Sequence, residues 1–262
     1  MALTTVPRRA RPTGRLAAAP WVFAAMLLLA WALIVALAAP PAYVLPSPLA
    51  VAQRLGVGLA SPGFWAAVQM TFAEAVGGSI LGAAVALPLA IGIHRSRLLS
   101  AAVTPFLGAT QAIPAIAVAP LLAIWVGYGI GPIVLLCALM VFFPILVSSV
   151  VGLRHVDQRV VDAARMDGAG SLALLRQIEL PLALPNVLAG LRNGFALSVT
   201  GAVVGEMVMG GSGLGQLLTA QRDAVDTAGM FATIAVLCAL ASGLYGLIHL
   251  VEQRSRTIAS LR

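Results

Sequence analysis

Six apolar blocks divide the chain, at residues 21–39, 68–93, 101–126, 133–151, 184–209 and 229–251. Crossing a hydrocarbon core takes about 20 residues of helix, and each block is of that order. The pattern predicts an all-α membrane protein with six transmembrane helices. The joints between blocks hold most of the polar residues and the breakers. Pro40, Pro41, Pro46 and Pro48 follow the first block, and VLPSPLAVAQRL reads as a non-membrane connector leading into a short amphipathic segment. Gly127, Tyr128 and Gly129, with Gly131 and Pro132, predict a tight turn before the fourth block. The run from Gly210 to Gly215 reads as a flexible turn, and a polar stretch with Arg222, Asp223 and Asp226 leads to the sixth block. The first block has a competing reading as a signal peptide cleaved at Ala36-Leu37-Ala38. Its apolar core exceeds the about 7–15 residues of such a segment, which favours a retained helix.

The third block contains Pro105, Pro114 and Pro120. Proline inside a spanning helix frees backbone groups that lipid cannot satisfy, so such breaks occur where protein or a cavity covers them. Gln111 lies close by. Gln111, Pro114 and Pro120 are therefore candidates to line a translocation path, with a kink that serves packing alone as the other reading. Glu74 and Glu206 are the acids inside apparent spans, which makes them pathway candidates too. The alternative is an acid that snorkels to the interface or hydrogen-bonds to a neighbouring helix.

Composition sharpens the class. Of 262 residues, 60% are hydrophobic and 10% are charged, with mean hydropathy +1.00. A soluble domain carries about 25% charge. The sixteen basic residues are all Arg, and there is no Lys. A phosphate-binding loop of the Walker type needs Gly-Lys-Ser/Thr, so any ATP that drives this protein is bound by another chain. The net charge of +7 does not require nucleic acid. Thirteen arginines fall in the two termini, at Arg95 and Arg97, and between Arg154 and Arg176; Arg54 and Arg222 fall in joints on the opposite side. That asymmetry predicts both termini in the cytoplasm. Cys137 and Cys238 sit alone in apolar runs and read as small packed residues. No metal-ligand spacing and no nucleophile elbow is present, so catalysis by this chain is unsupported.

The stretch between the fourth and fifth blocks carries the most information. Eight charges lie from Arg154 to Glu179. Burying them in lipid at about 2.5–3.5 kcal/mol each would cost roughly 20 kcal/mol or more, so the stretch stands in water. Leu172, Leu175 and Ile178 fall on one helical face with Leu174 beside them, and Gly168 and Gly170 interrupt the middle. The expectation is two short helices joined by a turn.

This stretch resembles the loop signature of ABC-importer permeases, the inner-membrane components of binding-protein-dependent transport. The matching positions are Asp162, Ala163, Ala164, Gly168, Ile178, Leu180 and Pro181; the first is commonly Glu in that family and is Asp here. The resemblance implies a type I importer architecture and a coupling helix, within residues 154–182, seated in a cleft of a separate ATPase. It also implies two permease chains, in a homodimer on the simplest reading, two ATPase subunits that hold ATP and Mg, and a periplasmic or lipid-anchored solute-binding protein. No cofactor is expected on this chain, and no nucleic acid. The location implied is the bacterial inner membrane. The organisation would be a tail at 1–20, a permease domain at 21–251 and a tail at 252–262. Ile113-Pro114-Ala115, the Trp125-Val126-Gly127-Tyr128-Gly129 turn and Gly213-Leu214-Gly215 are similar to the sulfonate, taurine and nitrate branch, which includes permeases for thiamine-pyrimidine precursors and riboflavin. An Arg is common in that branch near Glu74, and this chain has an acid there. A carrier driven by an ion gradient is the alternative; it would need inverted repeats and midplane ion ligands, and no convincing repeat is visible.

Overall fold

A computed structural model of the chain describes residues 14–109 and 114–254. Gln111 lies outside the described residues. The described chain is helical throughout: α1 (Gly14–Ala38), α2 (Pro48–Leu59), α3 (Pro62–Arg95), α4 (Arg97–Ala109), α5 (Ala115–Val126), α6 (Ile130–Arg154), α7 (Gln158–Met166), α8 (Ser171–Leu174), α9 (Leu180–Met209), α10 (Leu214–Asp223) and α11 (Thr227–Arg254). Five helices are long and apolar enough to cross a membrane, within α1, α3, α6, the rod formed by α8 and α9, and α11. At 1.5 Å per residue, α3 is about 51 Å long, well beyond the roughly 30 Å hydrocarbon core. Its last turn, with His94 and Arg95, therefore projects past the lipid.

The centre of the fold is α6, packed between α3 and α9. Small residues let the three backbones approach closely, the usual device where lipid offers no hydrophobic drive for helix association. A Cβ on Gly82 of α3 would lie 2.8 Å from the carbonyl oxygen of Ala138 on α6. A Cβ on Gly190 of α9 would lie 2.7 Å from the Ser148 Cβ, on the other side of α6. Leu136, Val141, Ile145 and Leu146 fill the space between. By contrast α1 stands at the edge with its apolar side chains exposed. Trp31 anchors it: the ring lies 5.7 Å from Phe231 of α11, and its Nε1–H donates to the Pro46 carbonyl at 3.1 Å.

Three expectations need correction. The span expected at 101–126 is not one helix: α4 and α5 are separate, with Pro114 capping α5 in extended conformation. Proline cannot donate its backbone N–H and pushes the residue before it away from helix, so a break here is what the sequence chemistry favours. The run Gly210–Gly215 is not simply a flexible turn: Gly213, Leu214 and Gly215 are buried, and the following polar stretch forms α10. Finally, the second half of the charged stretch is no separate short helix. From Ser171 the chain runs through α8, a π-helical turn at Leu175–Glu179, and α9 without a break.

Candidate functional site

The local chemistry of α7 explains the spacing of the signature residues. Asp157 caps its N-terminus, accepting the Arg159 N–H at 2.9 Å. At the other end the Gly168 N–H donates to the Arg165 carbonyl at 3.0 Å, and the Ala169 N–H to the Ala164 carbonyl at 3.0 Å. This paired pattern is the Schellman close, which needs a left-handed residue just past the helix. Gly168 supplies it with φ +87°. The glycine four residues after the second alanine is thus the stop of α7, and Ala164 and Ala169 pack in the same cluster across it.

The signature residues divide between two faces. Asp162, Ala163, Met166 and Gly168 face outward. Asp162 pairs with Arg165 one turn on, at 3.1 Å, and both side chains are exposed. Ala164, Ile178, Leu180 and Pro181 are half-buried. Of these, Ala164, Ile178 and Leu180 pack over Leu153, Val156, Val161, Leu174 and Ala183, which tie α7 and the α8–α9 rod to the end of α6. The expected face of Leu172, Leu175 and Ile178 is rotated: Leu172 is 60% exposed, and Leu174 is the buried anchor at 3%. The π turn accommodates Pro181, which has no N–H to give; the Leu180 N–H reaches back to the Leu175 carbonyl instead.

The π turn also carries a residue that sequence reasoning passed over. Glu179 is buried, at 3% exposure. Arg95 Nη2, from the end of α3, donates to Glu179 Oε2 at 2.8 Å and to the Ser171 carbonyl at 2.9 Å. His94 Nε2 stands 3.4 Å from the same carboxylate oxygen. The signature stretch is therefore fastened to two membrane helices, to α6 by apolar packing and to α3 by this ion pair.

The pathway candidates do not converge on one place. Pro114 and Pro120 are exposed, whereas Glu74 and Glu206 are fully buried. Glu206, near the end of α9, accepts the Thr71 hydroxyl at 2.7 Å on Oε1 and the Gly215 N–H on Oε2. The Leu214 N–H donates to Thr71 Oγ1 at 2.8 Å. A carboxylate at the start of α10 satisfies N–H groups that the helix leaves unpaired. Glu74, one turn along α3 from Thr71, faces the same carboxyl group.

Residues 78–257 match the family of binding-protein-dependent transport system inner membrane components. The chain belongs to this family. It is a transport permease subunit of an ABC importer, and the ATPase is a separate component, which leaves the ion-gradient reading without support. The riboflavin transport system permease protein of Chloroflexus aurantiacus is 42% identical over 87% of this permease and 85% of its own length. The formylaminopyrimidine transport permease protein of Halalkalibacterium halodurans is 33% identical over 84% of this permease and 88% of its own length. The fold matches the inward-facing MetNI methionine ABC transporter with a TM-score of 0.64 at 19% identity, covering 74% of the permease and 98% of that chain.

The Glu179–Arg95 pair was the contact of this stretch hardest to find in the sequence. The one available signal was an acid held between Ile178 and Leu180, the apolar positions of the signature, where a solvated charge has no reason to be.

Proposed function

We propose that this permease moves a small vitamin-related heterocycle, of the flavin or formylaminopyrimidine kind, into the cytoplasm. The observation that carries the substrate class is 42% identity to a riboflavin permease across most of both chains. The Trp125–Gly129 turn supports it from the sequence. ATP and Mg are held by the partner ATPase, and the solute is delivered by a periplasmic or lipid-anchored binding protein. Two copies of the permease form the body of the importer.

On this reading α7 and the Gly168 turn are the coupling helix. Asp162, Ala163 and Gly168 stand outward toward the ATPase, and Ala164, Ile178, Leu180 and Pro181 hold the helix to the membrane body. An ATPase that binds the two permease conformations with different affinity can then drive one into the other. The sixth membrane pass is made jointly by α4 and α5. Support comes from both ends of α6: Arg154 at its last turn reaches Ser100 and Thr104 of α4, and its start follows four residues after the end of α5. Six passes and the arginine asymmetry put both termini in the cytoplasm. Glu206, with Thr71, secures the external end of the bundle beside the buried Glu74, and the path runs along the exposed faces of α5, including Pro114 and Pro120, between the two copies.

Co-purification tests the assembly. Tagged permease extracted in mild detergent should bring down an ATPase subunit, and alanine in place of both Asp162 and Met166 should lessen that recovery. A permease that imports flavin in vesicles with no ATPase present would overturn the reading.

A further inference from the structure

Beside the Arg95–Glu179 pair, the ends of α3, α4 and α6 border an open cavity of about 620 Å³. Arg97, Arg154 and His94 line it, with the hydroxyls of Ser100 and Thr104, and among the described residues no carboxylate does. The guanidinium of Arg154 rests on two neutral acceptors, Ser100 Oγ at 3.0 Å and Thr104 Oγ1 at 3.1 Å. Arg97 makes no hydrogen bond or ion pair among the described residues, and neither arginine has an acidic partner there. Glu179, the acid that meets His94 of this lining, is already engaged by Arg95.

Two guanidinium groups sharing one concavity without a counter-charge repel each other. Planar forks of this kind match the oxygens of a phosphate group. Since Ser100 and Thr104 accept from Arg154, their own O–H groups remain available as donors. We propose that this cavity is a binding site for a phosphate ester. A phospholipid headgroup is the favoured source: the site lies where the α3 and α6 helices leave the lipid, and Leu98, next to Arg97, is 82% exposed in position to meet an acyl chain. The inference uses the assignment of this end to the cytoplasmic surface but not the coupling role of α7.

The test uses the full chain, alone and in the assembled importer, in nanodiscs of phosphatidylcholine with or without phosphatidylglycerol. Native mass spectrometry reads the lipid retained on release. Phosphatidylglycerol should be retained over phosphatidylcholine, and Arg97→Gln and Arg154→Gln should each weaken retention about fivefold, the effect of one basic side chain near an anionic surface. Arg222→Gln, at the opposite end, should leave it unchanged. Arg97→Gln removes no hydrogen bond and so keeps the test valid if the Arg154 variant fails to fold. A second arm adds millimolar inorganic phosphate: displacement of the lipid in wild type, with the same dependence on Arg97, would assign the site to a soluble phosphate. Equal retention of both lipids, or of phosphatidylglycerol by wild type and Arg97→Gln, together with no effect of phosphate, would overturn the proposal. Loss of ATPase co-purification alongside intact lipid retention would count against the coupling reading alone.

Discussion

Arg95 and Glu179 lie 84 residues apart in the chain, yet a guanidinium N–H of Arg95 meets the Glu179 carboxylate at 2.8 Å. Because Glu179 is buried and Arg95 is 28% exposed, the pair sits between the surface and buried limits for ion pairs. Removing the carboxylate should cost about 1–3 kcal/mol, below the penalty for a fully buried pair. The predicted functional effect is larger than the loss of stability. If α7 is the coupling helix, Glu179→Ala should lower the amount of solute taken up per ATP hydrolysed, because the α7–α9 stretch loses its ion pair to α3 and keeps its apolar packing on α6. Uptake and hydrolysis measured in the same proteoliposomes give that ratio. Exchanging the charges, with Arg95→Glu and Glu179→Arg together, should recover part of it. An unchanged ratio in folded Glu179→Ala would show that the ion pair transmits nothing.

Gly168 separates backbone geometry from contact. Its φ of +87° is unfavourable for a side chain, and a Cβ there would have open space around it. Valine at 168 should therefore strain the stop of α7 by about 1–3 kcal/mol without a clash. Asparagine, which tolerates the left-handed region, should keep the turn. If the turn geometry is what matters, Gly168→Val insertion into the membrane stays normal while uptake falls and ATP hydrolysis continues, and Gly168→Asn retains most of its uptake. Loss of uptake in both variants would point instead to the bare surface at 168 as the contact.

The difference between these two sites shows what a sequence can carry. The α7 stop is local: Asp157, Ala164 and Gly168 lie within twelve positions, and their spacing alone dictates a capped helix with a left-handed close. The five helices long and apolar enough to cross a membrane were legible for the same reason, as uninterrupted apolar length. The prolines at 105, 114 and 120 signalled trouble in the third block, but not whether the helix would bend or stop. Glycine-rich punctuation at 210–215 hid α10, because glycine that serves close packing looks like glycine that serves a turn. The Glu179–Arg95 pair depends on tertiary register, which no local pattern encodes.

Glu206 and Gly213 offer a test of that last point about glycine. Gly213 has φ −94°, which any residue can adopt, so its backbone does not require glycine. Space does: an added Cβ would overlap the Glu206 carboxylate and the Thr71 hydroxyl. Gly213→Ala should therefore destabilise the permease as a packing change, seen as a lower thermal midpoint in detergent. Glu206→Ala should do so more strongly, since it orphans the Gly215 N–H in a dry interior at about 1–3 kcal/mol for that group alone. Glu206→Gln keeps an acceptor for that N–H and should lie between. Wild-type stability in Gly213→Ala would mean the buried turn is looser than its contacts imply.

At the same end of the bundle, Asp226 ties α2 to the start of α11. Its carboxylate accepts from Arg54 Nε at 2.8 Å and from the Gly229 N–H at 2.9 Å. The hydrogen bonds from Arg54, reinforced by its charge and by the Gly229 N–H, hold the Asp226 carboxyl below its ordinary range against the opposing effect of burial. A carboxyl whose pKa is lower in the folded state adds stability above its unfolded pKa and loses it as pH falls through the folded one. For Asp226 that loss falls below about pH 4, the ordinary carboxylate value. Arg54 is half exposed, so the neutral-pH contribution should be about 1 kcal/mol or less. Asp226→Asn should lower the thermal midpoint slightly at pH 7 and converge with wild type only once the pH has fallen below the depressed folded pKa of Asp226, where both carry an uncharged group at 226. Arg54→Gln should give a similar loss at pH 7, and the double variant little more than either alone, as expected for partners in one interaction. A constant gap between wild type and Asp226→Asn down through the acid range would mean that the side chain contributes by packing and not by its charge.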